Sequence, residues 1–185
     1  MRLLVTRDDY YEAAMRLLGT DGAGSLKVAT LCAELGVTTG SFYGYFGSLD
    51  GFVEQFLDYW WQSQTTRIAA AVTDAQDPVE RIHLVKDLTS QVPHAAEGAI
   101  RSWAHTHPAV AAMQSKVAER RLDVVTELLL PVAASPEEAR SLGIMALTLL
   151  VGLQQWRQPV SERDFNLVFN EFEELVLRRV PDVSA

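Results

Sequence analysis

Cysteine is nearly absent: Cys32 stands alone in 185 residues. An intramolecular disulfide is excluded, and a reducing compartment is expected. Long apolar runs are missing too. The longest, Leu142 to Leu153, is too short to span a bilayer, so no membrane partner is expected. The opening MRLLVTRDDYYE turns acidic after a very short apolar stretch, which does not read as a signal peptide. Positive charge is scarce, with 16 Lys and Arg against 24 Asp and Glu and a formal net charge of −8. That balance favours solubility and does not itself point to nucleic acid or membrane. A cytoplasmic protein is expected.

Catalytic groupings are equally thin. There is no nucleophile with a base and an acid, no glycine-rich phosphate loop, and no carboxylate pair with a mechanistic reason to exist. Gly19, Gly22 and Gly24 lie in a turn with no strand before it, so they are no nucleotide fingerprint. His105 and His107 are two apart and do not share a helix face. No cysteine or carboxylate completes a ligand set around them. Neither an enzyme nor a metal or other cofactor is expected.

What is there is helical period almost throughout, and no segment reads as a strand. The spacing predicts nine helices in an all-α fold. Apolar positions recur at three and four between Thr6 and Leu18, with Thr6 as cap and Gly19 and Gly22 as stop. A second helix begins near Ser25 or Lys27 and ends at Gly36, with Cys32 in its apolar stripe. Thr38 or Thr39 caps a third, which runs to about Phe46. Ser48 caps the fourth, where Leu49, Phe52, Val53, Phe56, Leu57 and Trp60 keep the helical rule without a miss. That helix continues to about Val72. Four more follow: from Pro78, from Ala95 to His105, from Pro108 to Pro131, and from Ser135 to about Trp156. A last one begins at Ser161 and reaches Arg179, with Pro181 as its stop.

The first three helices are short and joined by glycine turns. Two helices separated by such a turn, the second rich in hydroxyls, form the helix-turn-helix pattern, whose second helix enters the DNA major groove. The stretch GVTTGSFYGYF supplies what that position needs. Thr38, Thr39 and Ser41 can bond phosphates. Gly40 and Gly44 allow close backbone approach, and Tyr43 and Tyr45 can reach a phosphate or a thymine methyl. Lys27 adds a cation at the start of the preceding helix, and Phe42 and Phe46 face inward.

These residues have a family look. CAELGVTTGSFYGYFGSLDGF resembles the signature of the TetR family of bacterial transcriptional regulators, and the likeness covers residues 6 to 60. AIRSWAHTHPAVAAM is similar to a stretch common in part of that family. The resemblance implies a DNA-binding domain over 1–48 and an effector-binding and dimerisation domain over 49–185. It implies a homodimer through helices at about 137–157 and 161–179, operator DNA as partner, and release by a small, mostly apolar effector, as in a repressor. The departures cluster in the DNA-binding module. Leu49 stands where the family usually has a lysine, Thr39 where Lys, Arg or Gln is frequent, and Ala29 where Arg is frequent. Up to Ser48 the basic residues are Arg2, Arg7, Arg16 and Lys27, against Asp8, Asp9, Glu12, Asp21 and Glu34, so four minus five gives −1. Phosphate neutralisation supplies most non-specific affinity. The second reading is therefore a TetR-like ligand- or protein-binding module with weak or lost DNA binding.

For the effector, the expected walls are Trp61, Trp103, Met113 and Met145, with Gln64, His83 and Gln114 as polar anchors. The adjacent Trp60 and Trp61 cannot face one core, since successive helical residues point about 100° apart.

Overall fold

A computed structural model describes residues 5–179; Arg2 and Pro181 lie outside them. No strand occurs among the described residues. The helices are α1 (Arg7–Asp21), α2 (Val28–Leu35), α3 (Thr39–Phe46), α4 (Leu49–Trp61), α5 (Arg67–Asp74), α6 (Pro78–Ser90), α7 (His94–Trp103), α8 (Pro108–Leu129), α9 (Pro136–Trp156) and α10 (Glu162–Leu177). A π-helical turn, Gln62–Thr66, joins α4 to α5. With those three segments taken as one rod, the described residues hold nine helices, the all-α architecture expected. The expected helix to Val72 is that rod. The π turn inside it was not foreseen, nor was the 3₁₀ turn Ala23–Ser25 ahead of α2.

The caps are the side chains the sequence offers. Thr6 forms a capping box with Asp9, and Ser48, Asp77, Ser135 and Ser161 each accept from a backbone N–H three residues on. Proline opens α6 and α9.

The chain divides into two compact units. The first comprises the chain up to Gln62 together with Pro93–Gln114. It holds α1 to α4, α7 and the first turns of α8, so α7 packs with the short N-terminal helices. Gly19 makes room for it: a Cβ there would lie 3.6 Å from both Ala95 Cβ and Ala96 N. α7 is also tied to α4. The Trp60 indole N–H donates to Glu97 Oε1 at 2.7 Å, and both residues are fully buried. A carboxyl group without solvent needs such partners, because a buried polar group left unsatisfied costs about 1–3 kcal/mol.

The second unit comprises Ser63–Val92 and the chain from Ser115 onward. Its core joins Val72, Ile82, Leu128, Leu129, Leu142 and Val176 from five helices. A second cluster pairs Leu150 and Leu153 with Phe165 and Phe169, whose rings stack at 4.4 Å. Gly143 is the point where α9 comes nearest α8: a Cβ there would lie 3.1 Å from Thr126 Oγ1 and 3.2 Å from Leu122 Cδ1. The close approach that Gly143 permits is thus made inside the chain, whereas Gly152 faces open space. Gly143→Ala overpacks this crossing. The expected cost is about 1–3 kcal/mol, read as a lower urea midpoint with an unchanged slope; an unaltered midpoint would show that the crossing has slack.

Candidate nucleic-acid interface and effector cavity

α2 and α3 are joined through Gly36, whose φ of 64° lies in the left-handed region that favours glycine. The Val37 N–H donates back to the Cys32 carbonyl at 2.9 Å, closing the end of α2. Thr38 then caps α3, its hydroxyl accepting from the Ser41 N–H at 3.3 Å. The Cys32 thiol points to the Thr38 carbonyl at 3.5 Å, and burial pushes its pKa up. Cys32 is a core residue and an unreactive one.

Phe42 and Phe46 are buried, which turns Thr39, Gly40, Tyr43 and Gly44 outward. Tyr43 is 51% exposed, a large ring left in solvent. A Cβ on Gly44 would meet nothing within 4 Å, and one on Gly40 would meet only Thr38 Oγ1 at 3.8 Å. Nothing among the described residues therefore requires glycine at either place, although glycine in a helix costs about 0.5–1 kcal/mol relative to alanine. Thr38 and Lys27 are exposed as well.

Two of the expected DNA contacts have partners inside the fold. The Tyr45 hydroxyl donates to the Val5 carbonyl at 2.6 Å, and Tyr45 is half-buried with its ring edge-on to Tyr10. Ser41 is half-buried and accepts from the Tyr10 hydroxyl at 3.4 Å. Arg7 was not foreseen. Its guanidinium donates to the Tyr45 carbonyl at 3.2 Å, which places a cation at the end of α3. The signal was available, since Arg7 falls in the first turn of a helix whose other early charges are acidic. Arg16 pairs with Glu34 at 3.3 Å, so two of the module's three described cations, Arg7 and Arg16, answer an internal group. Leu49 is half-buried at the start of α4.

The residues expected around an effector fall in different surroundings. In the first unit, Trp61 and Met113 are half-buried, and Trp103 packs edge-on against the His107 ring at 5.2 Å. Gln114 Oε1 is buried with no hydrogen-bond partner among the described residues. In the second unit His83 is exposed, and its Nδ1 lies 2.9 Å from Glu173 Oε1. Glu173 also holds Lys86. Met145 is 43% exposed on the outer side of α9. Gln64 lines a cavity.

That cavity, of about 60 Å³, lies within the second unit. Its walls are mostly aliphatic, among them Ile68, Val85, Val124 and Leu147, and its charged lining residue is Arg121. Arg121 Nε donates to Thr65 Oγ1 at 3.2 Å, and a terminal nitrogen donates to the Gln64 carbonyl at 3.3 Å. Both acceptors belong to the π turn, and Thr65 is 3% exposed. A second cavity, of about 70 Å³, runs on between α6, α8, α9 and α10 toward Lys86 and Glu173. The two share Val85, Thr89, Val125, Leu147 and Leu150. Among the described residues no tryptophan lines either one. Arg121 was missed, yet the sequence carried a sign of it. Val117, Val124 and Leu128 are buried at helical spacing, and Arg121 falls on that inward stripe.

A family model described as "Bacterial regulatory proteins, tetR family" matches residues 11–56. A comparison with curated proteins gave no match. Solved structures with the same fold include a TetR transcriptional regulator from Legionella pneumophila, at 14% identity and a TM-score of 0.76 over 96% of this chain and 98% of that one. A TetR-family transcriptional regulator from Streptomyces coelicolor is similar at 22% identity and a TM-score of 0.73, over 95% and 96%. A protein from Saccharomonospora viridis, described as a transcriptional regulator and solved with choline, is similar at 16% identity and a TM-score of 0.74, over 91% and 95%. At such identities the structural likeness establishes the fold, and the match over 11–56 establishes the DNA-binding type of the module. The N-terminal module over residues 11–56 is thus similar to the regulatory module of the tetR family, and the described residues share the fold of the solved TetR-type regulators.

Proposed function

We propose that the chain is a homodimeric repressor that grips operator DNA with α3 and leaves it when a small, mostly apolar effector enters the second unit. The observation that carries this reading is the outer face of α3. Thr39, Gly40, Tyr43 and Gly44 form a strip on a helix whose other side is anchored by buried rings. Two glycines that cost helix stability and relieve no crowding among the described residues make sense if another surface comes close. A groove wall of sugar and phosphate is such a surface. The DNA-binding domain is proposed over 1–48 and the effector-binding and dimerisation domain over 49–185.

The paired cavities support the effector part, as does the choline-bound protein of like fold. Each is far smaller than the roughly 300–1,000 Å³ of a ligand pocket. The ligand must therefore widen its own site, and the differential binding energy between closed and widened states is what shifts the population. In a dimer the two copies of α3 must reach half-sites about 34 Å apart, so a change in their spacing releases the operator.

The proposed dimer uses α9 and α10. Ile144 is 49% exposed and Leu167 59%, beside the half-buried Leu149 and Val168. An open depression on that side is lined by Met145, Leu149, Val168, Phe172 and Leu175. Such a run of exposed apolar side chains marks an interaction surface. The net charge of the module favours the second reading, a ligand-binding protein that has lost DNA.

Three measurements test these statements. Ile144→Glu with Leu167→Glu should turn a dimer into a monomer by light scattering at micromolar concentration; a wild-type monomer would sink the dimer. Gly44→Ala should raise the melting temperature, by about 0.4–1 kcal/mol of stability, while weakening binding to the chain's own upstream DNA. A variant that gains stability and keeps full affinity would mean that this face of α3 does not meet DNA. Leu49→Lys should tighten binding to any DNA and steepen the slope of log affinity against log salt by about one unit. If wild type and Leu49→Lys both fail to shift DNA at low salt, the second reading stands.

A further inference from the structure

From the side chains that α3 turns outward we infer that the operator is read through its thymine methyl groups. Each half-site carries two thymines about two base pairs apart, one against the Thr39 methyl and one against the Tyr43 ring. This deepens the reading of α3 as the DNA-gripping helix and rests on it.

The choice of base follows from the reading groups the module carries. In the major groove guanine is read by Arg or Lys, adenine by the amide of Asn or Gln, and cytosine by a carboxylate. From Lys27 to Ser48 the sequence has no Arg, Asn, Gln or Asp, and its charged residues are Lys27 and Glu34. Neither lies on α3. Lys27 precedes α2 as its N-cap, and Glu34, near the end of α2, pairs with Arg16 at 3.3 Å. Two hydroxyls beside the outer face are engaged in the fold. Thr38 Oγ1 accepts from the Ser41 N–H at 3.3 Å, and Ser41 Oγ accepts from the Tyr10 hydroxyl at 3.4 Å. On the exposed face of α3 that leaves Thr39 and Tyr43 as the side chains able to read a base. Both offer an apolar surface, and the apolar feature of the major groove is the C5-methyl of thymine.

The spacing follows from the helix. Thr39 and Tyr43 are four residues apart on one face, about 6 Å along the axis at 1.5 Å per residue. Base pairs are stacked about 3.4 Å apart, so the two contacts fall about two steps apart. The Tyr43 ring is steadied for its task, standing edge-on to the fully buried Phe42 ring at 5.7 Å. Thr39 is a short reader. A methyl so close to the backbone meets a base only if the helix itself sinks into the groove. Gly40 and Gly44 leave the backbone bare beside both readers, which permits that depth. A long arginine would reach a guanine edge from a helix set further back, and would have no use for two glycines beside it.

The test begins with a duplex library of randomised centre, enriched on the full wild-type chain at low salt. Each arm of the enriched site should hold the thymine pair. Deoxyuridine then replaces each thymine in turn, keeping every pairing hydrogen bond and deleting only the methyl. Each replacement should weaken wild-type binding about fourfold, as for one buried methyl group. Thr39→Ser, which removes the protein's methyl and keeps the hydroxyl, should erase the penalty at one thymine of the pair and leave it at the other. Tyr43→Ala should do the reverse. A residue that only touched phosphate, or only steadied the helix, would lower affinity for the thymine and uracil sites alike. Indifference of the wild-type chain to deoxyuridine overturns the inference without any variant. So does a site fixed in guanine rather than thymine, or no enrichment among the duplexes the chain retains. A penalty that survives both substitutions also overturns it, since that penalty would belong to the shape of the DNA. In each of these cases the chain still binds DNA, and the operator reading is untouched. If the wild-type chain retains no duplex at low salt, the operator reading fails and takes this inference with it.

Discussion

Phe46 has the rings of Tyr10, Tyr11, Phe42, Tyr45 and Phe52 within 6.0 Å, centroid to centroid. The orientation of α3 depends on that cluster. α3 is eight residues long, too short to be helical alone, since isolated helices below about 12–15 residues are marginal in water. Its shape comes from the rings beneath it. Each aromatic pair adds about 0.5–1.5 kcal/mol beyond its burial, and the cluster draws on α1, α3 and α4 together. With Phe42 and Phe46 committed inward, the rotation of α3 about its axis is set. Thr39, Gly40, Tyr43 and Gly44 are then exposed by geometry.

The same commitment accounts for the engagement of Tyr45. Its position next to Phe46 turns the ring toward Tyr10, and its hydroxyl secures the chain at Val5, just before the capping box of Thr6. The first turn of α1 is thereby fastened to the end of α3, with Arg7 returning a bond to the Tyr45 carbonyl. The two tyrosines, two residues apart, thus differ: Tyr45 holds the frame and the Tyr43 ring stays in solvent.

Most of the helices were legible in the sequence because each carries its own evidence: an apolar stripe, a capping side chain, and glycine or proline at an end. The short module was legible for the same reason, since the glycines at 36 and 47 need positive φ and the stripe residues 42 and 46 are unmistakable. The π turn was not. Gln62–Thr66 reads QSQTT, a polar stretch with no special residue, and a one-residue register change leaves no trace in a helical pattern. The cavity was not legible either. A void is a property of how several helices meet, and Trp61 and Trp103, expected beside one, do not border these two. The walls are instead Val, Ile and Leu, indistinguishable in sequence from ordinary core. In the first cavity Arg121 broke the pattern, because a charge on an inward stripe must be solvated by something.

That requirement ties the cavity to the π turn Gln62–Thr66. A half-buried guanidinium holds Gln64 and Thr65, and the π turn they belong to is where α4 passes into α5. A π turn displaces the hydrogen-bond ladder by one residue, so it costs energy unless its neighbours reward it. Here the bonds from Arg121 to the Thr65 hydroxyl and the Gln64 carbonyl, together with the burial of Thr65, are among the contacts that stabilise it.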